Sequence, residues 1–167
     1  PRLMSVSVAA PDTDINLGYI FLEGYRKGLE DASLPYDEKL IIRARSSEQG
    51  GYHAASEWLQ MRPRPTALIL IYELMAIGLY RRLAEVKLRA GQDLAVIGFR
   101  EGPSGQFLEP RLTSFRMSLR DLGVSVGKTL LSTMPAYSSF YPQQPKHIVW
   151  PMQLIPGDSD ITNLQSK

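Results

Sequence analysis

Thr66-Ala67-Leu68-Ile69-Leu70-Ile71 runs into Tyr72-Glu73 and then Leu74-Met75-Ala76-Ile77-Gly78, and this succession decides the fold. From Ala67 the run is apolar without alternation and is bounded upstream by Arg62-Pro63-Arg64-Pro65. An apolar run between breakers is what a strand covered on both faces looks like. The residues from about Glu73 carry Ile77, Tyr80 and Ala84 at helical spacing. That spacing predicts a helix with those three on one face, ending near Ala90-Gly91 with Gly91 as its C-cap. Leu94-Ala95-Val96-Ile97-Gly98-Phe99 then reads as a second buried strand.

Toward the N-terminus the same alternation continues. Leu3 to Val8 reads as a short apolar strand closed by Ala9-Ala10-Pro11-Asp12. A helical pattern follows from about Asn16, with Ile20, Gly24, Tyr25 and Leu29 near one face. Lys39-Leu40-Ile41-Ile42 is the next strand, and Ser46-Ser47-Glu48-Gln49 offers a serine cap before a helix in which Tyr52, Ala55 and Leu59 share a face. The prolines at 63 and 65 stop that helix. Toward the C-terminus come an extended piece at Thr113 to Arg116, a helix from about Ser118 to Met134 and a strand at His147 to Trp150. In the last helix Leu119, Leu122, Val126 and Leu130 form a stripe, while Gly123 and Gly127 suggest a close backbone approach. Strand, helix, strand, helix in this order predicts an open, mainly parallel α/β sheet flanked by helices. Ligands in such sheets bind beyond the carboxyl ends of the strands, so the loops after Val8, Ala44, Ile71 and Phe99 carry the site.

Composition narrows the function. A chain of 167 residues with 44% hydrophobic content can bury a sizeable core. No run approaches the roughly 18 apolar residues of a membrane span. The first residues lack the layout of a secretory signal. The absence of cysteine excludes a disulfide framework and thiol or Cys-based zinc chemistry, and it fits a reducing compartment. A net charge of +2, with the cations dispersed among acids, gives no nucleic-acid footprint. A chain that begins at Pro1 and enters a strand almost at once is expected of a piece of a longer protein. His53 has Glu57 four residues on but no further His or Cys to complete a metal site. Ser104-Gly105 is turn chemistry rather than a nucleophile elbow, no glycine-rich phosphate loop occurs, and no acid/base constellation converges on the strand ends. No catalytic residue, metal or cofactor is therefore expected, and Trp58 and Trp150 read as packing residues.

The chain resembles the ligand-sensing half of LacI/GalR transcription regulators. The resemblance rests on Leu22-Glu23-Gly24-Tyr25-Arg26, Pro63 to Leu68, Leu74-Met75-Ala76-Ile77-Gly78, Leu94 to Phe99, Phe107 to Arg116 and Leu122-Gly123, in matching order and spacing from about Arg2 to Ile155. It implies a periplasmic-binding-protein-like type I fold, with two lobes around a cleft that a small-molecule effector closes. It also implies a cytoplasmic repressor that works as a homodimer and reads operator DNA through an N-terminal head that no part of this chain resembles. By this resemblance residues 1–117 form the C-terminal lobe, 118–150 a returning helix and strand of the N-terminal lobe, and 151–167 a return to the C-lobe and a tail. Dimerisation is expected around the helix from Glu73 and the segment between Gly102 and Pro110. A periplasmic solute-binding protein shares the fold and is the competing reading.

At the positions where the family reads its ligand, this sequence departs from the sugar-binding pattern. Phe21 stands where an arginine grips hydroxyls, Ser46 where an aromatic often stacks on the sugar, Tyr72-Glu73 where Asn-Asp is usual, and Arg100 where an aspartate is usual. Asp, Asn and Arg suit vicinal hydroxyls because each forms several directional hydrogen bonds. Phe21 and Tyr72 supply apolar surface instead, and Arg100 reverses a charge. The expected effector is anionic and partly aromatic or apolar, held by Phe21, Ser46, Tyr72, Glu73 and Arg100, with Asn16 and Arg45 as additional contacts. Equally, Phe21 and Tyr72 can fill a shrunken cleft, Glu73 can serve the helix dipole, and Arg100 can pair with Glu101 or Glu73.

Overall fold

The computed structural model describes residues 6–10, 16–99, 102–141 and 148–160. In chain order its elements are β1 (Val6–Ala10), α1 (Asn16–Asp31), β2 (Ile41–Arg43), α2 (Glu48–Gln60), β3 (Ala67–Leu70), α3 (Glu73–Glu85), β4 (Ala95–Gly98), β5 (Thr113–Arg116), α4 (Leu119–Thr133) and β6 (Gln153–Ile155). The strands form one sheet in the order β2-β1-β3-β4-β5-β6. The pairings β1–β2, β1–β3, β3–β4 and β4–β5 are all parallel, with Val6 opposite Ala67, Ala67 opposite Ala95 and Gly98 opposite Ser114. The expected open parallel α/β sheet is present.

The chain divides into two compact units, Pro1–Phe115 with Leu154–Lys167, and Arg116–Gln153. In the first unit the central strands bury almost every side chain: Leu68, Leu70, Leu94 and Val96 are solvent-inaccessible or nearly so. Met75, Leu79 and Leu83 of α3 and Ala54, Ala55 and Trp58 of α2 close over them. Each fully buried large side chain contributes about 1.5–3 kcal/mol of transfer free energy. The Trp58 indole N–H, buried with its ring, donates to the Pro65 carbonyl at 2.8 Å, which satisfies its one donor where the prolines end α2.

Helix ends follow backbone chemistry. Ser47 caps α2, its Oγ accepting from the Gly50 N–H at 3.1 Å, as the serine pair predicts. At the end of α3, Lys87 N–H donates to Ala84 O and Leu88 N–H to Leu83 O, with Lys87 at φ 60°. That is a Schellman cap with lysine in the left-handed position, and it corrects the expectation of a helix continuing to a Gly91 cap. Gly91 does have a left-handed φ of 75°, but in the turn before β4, where its N–H donates to Leu94 O. Helix α1 ends in the same way with Ser33 at φ 55° and Leu34 N–H on Leu29 O.

Two helix phases differ from the periodicity. In α3 the buried side is Met75, Ala76, Leu79 and Leu83; Ile77 is half-buried and Ala84 exposed. In α1 Phe21, Leu22 and Tyr25 face inward, while Ile20 is 58% exposed. Both helices carry apolar residues on more than one side, so spacing alone cannot choose the face. Strand β1 includes Ala9 and Ala10, which the sequence reading placed in the turn, and Leu3 to Ser5 lie outside the described residues. The strand expected at His147 to Trp150 is found instead at Gln153–Ile155; Ile148 to Trp150 are not extended into the sheet, and His147 lies outside the described residues.

The C-terminal segment completes the backbone bonding of the first unit. Val96 N–H donates to Ser159 O at 2.7 Å, the Ser159 hydroxyl donates to Val96 O at 2.6 Å, and Thr113 N–H donates to Ser159 Oγ at 2.8 Å. Strand β5 pairs with β4 only from Ile97 onward, so the serine supplies partners that the ladder does not.

In the second unit, α4 is capped by Ser118, whose Oγ accepts from Asp121 N–H at 3.2 Å. Its stripe lies open: Leu119, Val126 and Leu130 are about 60% exposed. Leu122, Val126 and Leu130 of the stripe line a shallow groove of about 540 Å³ with Ile148 and Trp150. Nothing lies within 4 Å of the β-carbon positions of Gly123 and Gly127, so the close approach expected of them is not made within the described residues.

Candidate functional site

The parallel sheet puts the β2–α2, β3–α3 and post-β4 loops at one edge, because every strand from β1 to β5 ends on the same side. There Phe21, from the second turn of α1, packs edge-on against Phe99, the residue just after β4, with ring centroids 5.1 Å apart and planes at 62°. Tyr72, the residue that opens α3, is half-buried against the same apolar core as Phe21 and Phe99. Phe21 and Phe99 therefore make an aromatic pair at the strand ends, and Tyr72 follows the end of the neighbouring strand β3. The sequence places Phe99 at the end of a buried strand but does not single it out as a site residue, although an aromatic at that position is the signal for it.

Glu73 is 6% exposed at the first turn of α3, where the helix dipole favours a carboxylate. It also accepts a hydrogen bond from the Gly105 N–H. A β-carbon on Gly102 would overlap the carboxylate, so Gly102 and Gly105 wrap it closely from the loop after β4. The sequence signal for this cradle is the pair of glycines three residues apart after a strand. It was read as turn chemistry because the carboxylate it serves lies some thirty residues earlier.

Ser46 is half-buried beside the Ser47 cap. Arg45 is exposed and lines a different cavity, of about 280 Å³, together with Arg43, Ala44, Gln49, Gly50 and His53. Arg43 in that cavity is paired with Glu38 at 3.0 Å. The Glu38 carboxyl is held below the usual carboxylate range, first by the hydrogen bond from the Tyr36 hydroxyl and then by Arg43. Asn16 is the first residue of α1, and nothing further is described of its side chain; Arg100 and Glu101 lie outside the described residues. The structure thus gathers Phe21, Tyr72 and Glu73 near one set of strand ends and sets Arg45 in another recess. Among the described residues no group of acidic or histidine side chains could hold a metal, and no helix is long and apolar enough to cross a membrane.

Comparison with known proteins fits this geometry. The Periplasmic binding protein-like domain family matches residues 6–159. The HTH-type transcriptional repressor PurR of Yersinia pestis bv. Antiqua (strain Antiqua) is 32% identical over 109 residues, which are 65% of this chain and 32% of that protein. The chain thus matches about one third of the length of that curated relative. Among solved structures, a LacI-family regulatory protein from Chloroflexus aggregans superposes with a TM-score of 0.79 at 29% identity, covering 93% of this chain and 54% of its own. The Escherichia coli transcriptional repressor ascG gives 0.80 at 20% identity over 95% and 56%, a likeness of fold alone. The chain belongs to the periplasmic binding protein-like domain family, and the relatives it matches are LacI-type transcription regulators.

Proposed function

We propose that this chain is the ligand-sensing and dimerisation portion of a LacI-type transcription regulator, and that its small-molecule effector is not a standard sugar. The observation that carries the reading is the aromatic pair. Phe21, stacked edge-on on Phe99, and Tyr72 occupy strand ends where hydroxyl-reading groups would stand in a sugar site. An apolar or aromatic body rests on these rings, and its anionic end is met by Arg100, whose guanidinium forks to a carboxylate or phosphate. Ser46 is a neutral polar contact on this reading, with Asn16 as an additional one. Glu73, an effector contact on this reading, also accepts from the Gly105 N–H of the loop after β4. The protein is no enzyme and needs no cofactor on this reading.

The relatives are repressors, which favours a regulator over a periplasmic solute-binding lobe. Residues 1–117 and 151–167 then belong to the C-terminal lobe, and 118–150 to the N-terminal lobe. The open stripe of Leu119, Val126 and Leu130 supports that division, since an amphipathic helix with an uncovered apolar face is built to be covered. Operator DNA is read in the cytoplasm by a head outside these residues. The homodimer forms around α3 and the Gly102 to Pro110 segment, where Leu74 and Phe107 are 41% and 82% exposed. Thermal-shift screening tests the effector: aromatic or phosphorylated acids are expected to raise the melting temperature and monosaccharides are not. The opposite ranking overturns the reading. Sedimentation tests the dimer, which a monomer at high micromolar concentration would refute for this chain.

A further inference from the structure

We infer that the recess between the end of β2 and the first turns of α2 is a second binding site, distinct from the aromatic pair, and that it takes a phosphoryl group. Its walls are Arg43, Ala44 and Arg45 from the strand end and Gln49, Gly50 and His53 from the helix, around about 280 Å³. None of Phe21, Ser46 or Tyr72 lines it, so the inference stands independently of the effector proposed above.

Four features point to a phosphoryl group. Donors dominate: two guanidinium groups, an imidazole and a carboxamide face the cavity, and among the described residues no carboxylate lines it. Arg45 has no ion pair, and His53 and Gln49 no side-chain hydrogen bond, among the described residues, so these donors are unspent. Arg43 is shared, since Glu38 takes one of its terminal nitrogens at 3.0 Å and leaves the rest of the fork.

The floor is rigid. Ser47 N–H donates to Arg45 O at 2.8 Å, the Ser47 hydroxyl takes the Gly50 N–H, and a β-carbon on Gly50 would overlap the Arg45 carbonyl oxygen. The cationic side chains therefore project from a backbone that is already ordered, which lowers the entropy lost on binding. Finally, Gly50 and Gly51 N–H groups are spent on Ser47, while those of Glu48 and Gln49 have no hydrogen-bond partner among the described residues. Unspent first-turn amides add partial positive charge at the recess. Donors arriving from a strand end and a helix face are not coplanar, and they suit the three terminal oxygens of a phosphoryl group better than a flat carboxylate.

The test is an amide-resolved NMR titration of the 167-residue chain with inorganic phosphate and, separately, phenyl phosphate, with sodium chloride and acetate as matched-ionic-strength controls. Saturable shifts centred on Arg45, Gln49, Gly50 and His53 are expected with both phosphates and not with the controls. Tighter binding of phenyl phosphate would identify a phosphate monoester as the physiological form; equal binding would identify the free ion. Arg45→Ala and His53→Ala are each expected to weaken binding about tenfold, and Arg45→Lys less, because it keeps the charge but loses the fork. Arg62→Ala, at the other end of α2, is expected to leave binding unchanged. Shifts that chloride reproduces, or that Arg45→Ala leaves intact, overturn the site. Phosphate shifts that centre on Tyr72 and Phe99 also overturn it, while supporting the aromatic pair as the anion site.

Discussion

Gly51 of α2 and Gly78 of α3 press reciprocally on each other's helix: a β-carbon on Gly51 would overlap the Met75 carbonyl oxygen, and one on Gly78 the Glu48 carbonyl oxygen. The two backbones meet there with no side chain between them. The glycine of the Met75-Ala76-Ile77-Gly78 signature is therefore a packing residue. It sets how closely α3 lies on α2 and so fixes where Tyr72 and Glu73, at the start of α3, stand.

Gly78→Ala and Gly51→Ala are each expected to destabilise the chain by about 1–3 kcal/mol or more, since the overlap is with backbone that cannot rotate away. Gly123→Ala in α4 has open space around it and is expected to be neutral or to stabilise by up to about 1 kcal/mol through helix propensity. Urea midpoints of the three variants check both expectations, and equal losses for all three would refute the close crossing.

Lys87 and Ser33 hold left-handed caps that glycine fills without strain. Lys87→Gly and Ser33→Gly are each expected to raise the thermal midpoint, by the equivalent of about 1 kcal/mol. A fall in midpoint for Lys87→Gly would mean that the lysine side chain contributes more than its backbone costs.

Glu73 and the glycine loop make a separable prediction. Glu73→Gln keeps an acceptor for the Gly105 N–H and is expected to cost less than Glu73→Ala, which leaves that donor buried at about 1–3 kcal/mol. Gly102→Ala is expected to loosen the loop as Glu73→Ala does, because the new methyl displaces the carboxylate. Hydrogen exchange at Gly105 is the readout. Protection unchanged in Glu73→Ala would remove the carboxylate from this role.

Tyr80, on α3, has its hydroxyl pushed up to about 12, chiefly by burial. Below the unfolded value near 10 both states are protonated and the group adds no pH dependence. As pH rises from about 10 toward 12 the unfolded chain loses its proton first, so the native state is progressively disfavoured. Tyr80→Phe is expected to flatten that alkaline loss in urea titrations while leaving stability at pH 7 nearly unchanged. An identical alkaline limb in the variant would assign the loss to other groups.

Much of the fold was legible from local chemistry. Serine before a helical pattern announced α2, prolines announced its end, and unbroken apolar runs announced β3 and β4, because caps, breakers and doubly covered strands each act within a few residues. The faces of α1 and α3 were not legible: Phe21 and Ile20, or Leu79 and Ile77, are equally apolar neighbours, and only the sheet decides which is covered. The departures at Phe21, Tyr72 and Glu73 were visible in the sequence. That Phe21 meets Phe99, that Glu73 meets Gly102 and Gly105, and that Arg45 turns into a recess with His53 were not.

The sequence by itself therefore determined the order and kind of the elements and, through a signature spread along the chain, the family to which they belong. Only the tertiary structure decided which apolar face is buried, why Gly78 must be glycine, and which polar groups share a recess. Periodicity and capping are properties of neighbours in the chain. Burial and convergence depend on what a distant strand or helix brings alongside, and no local pattern records that.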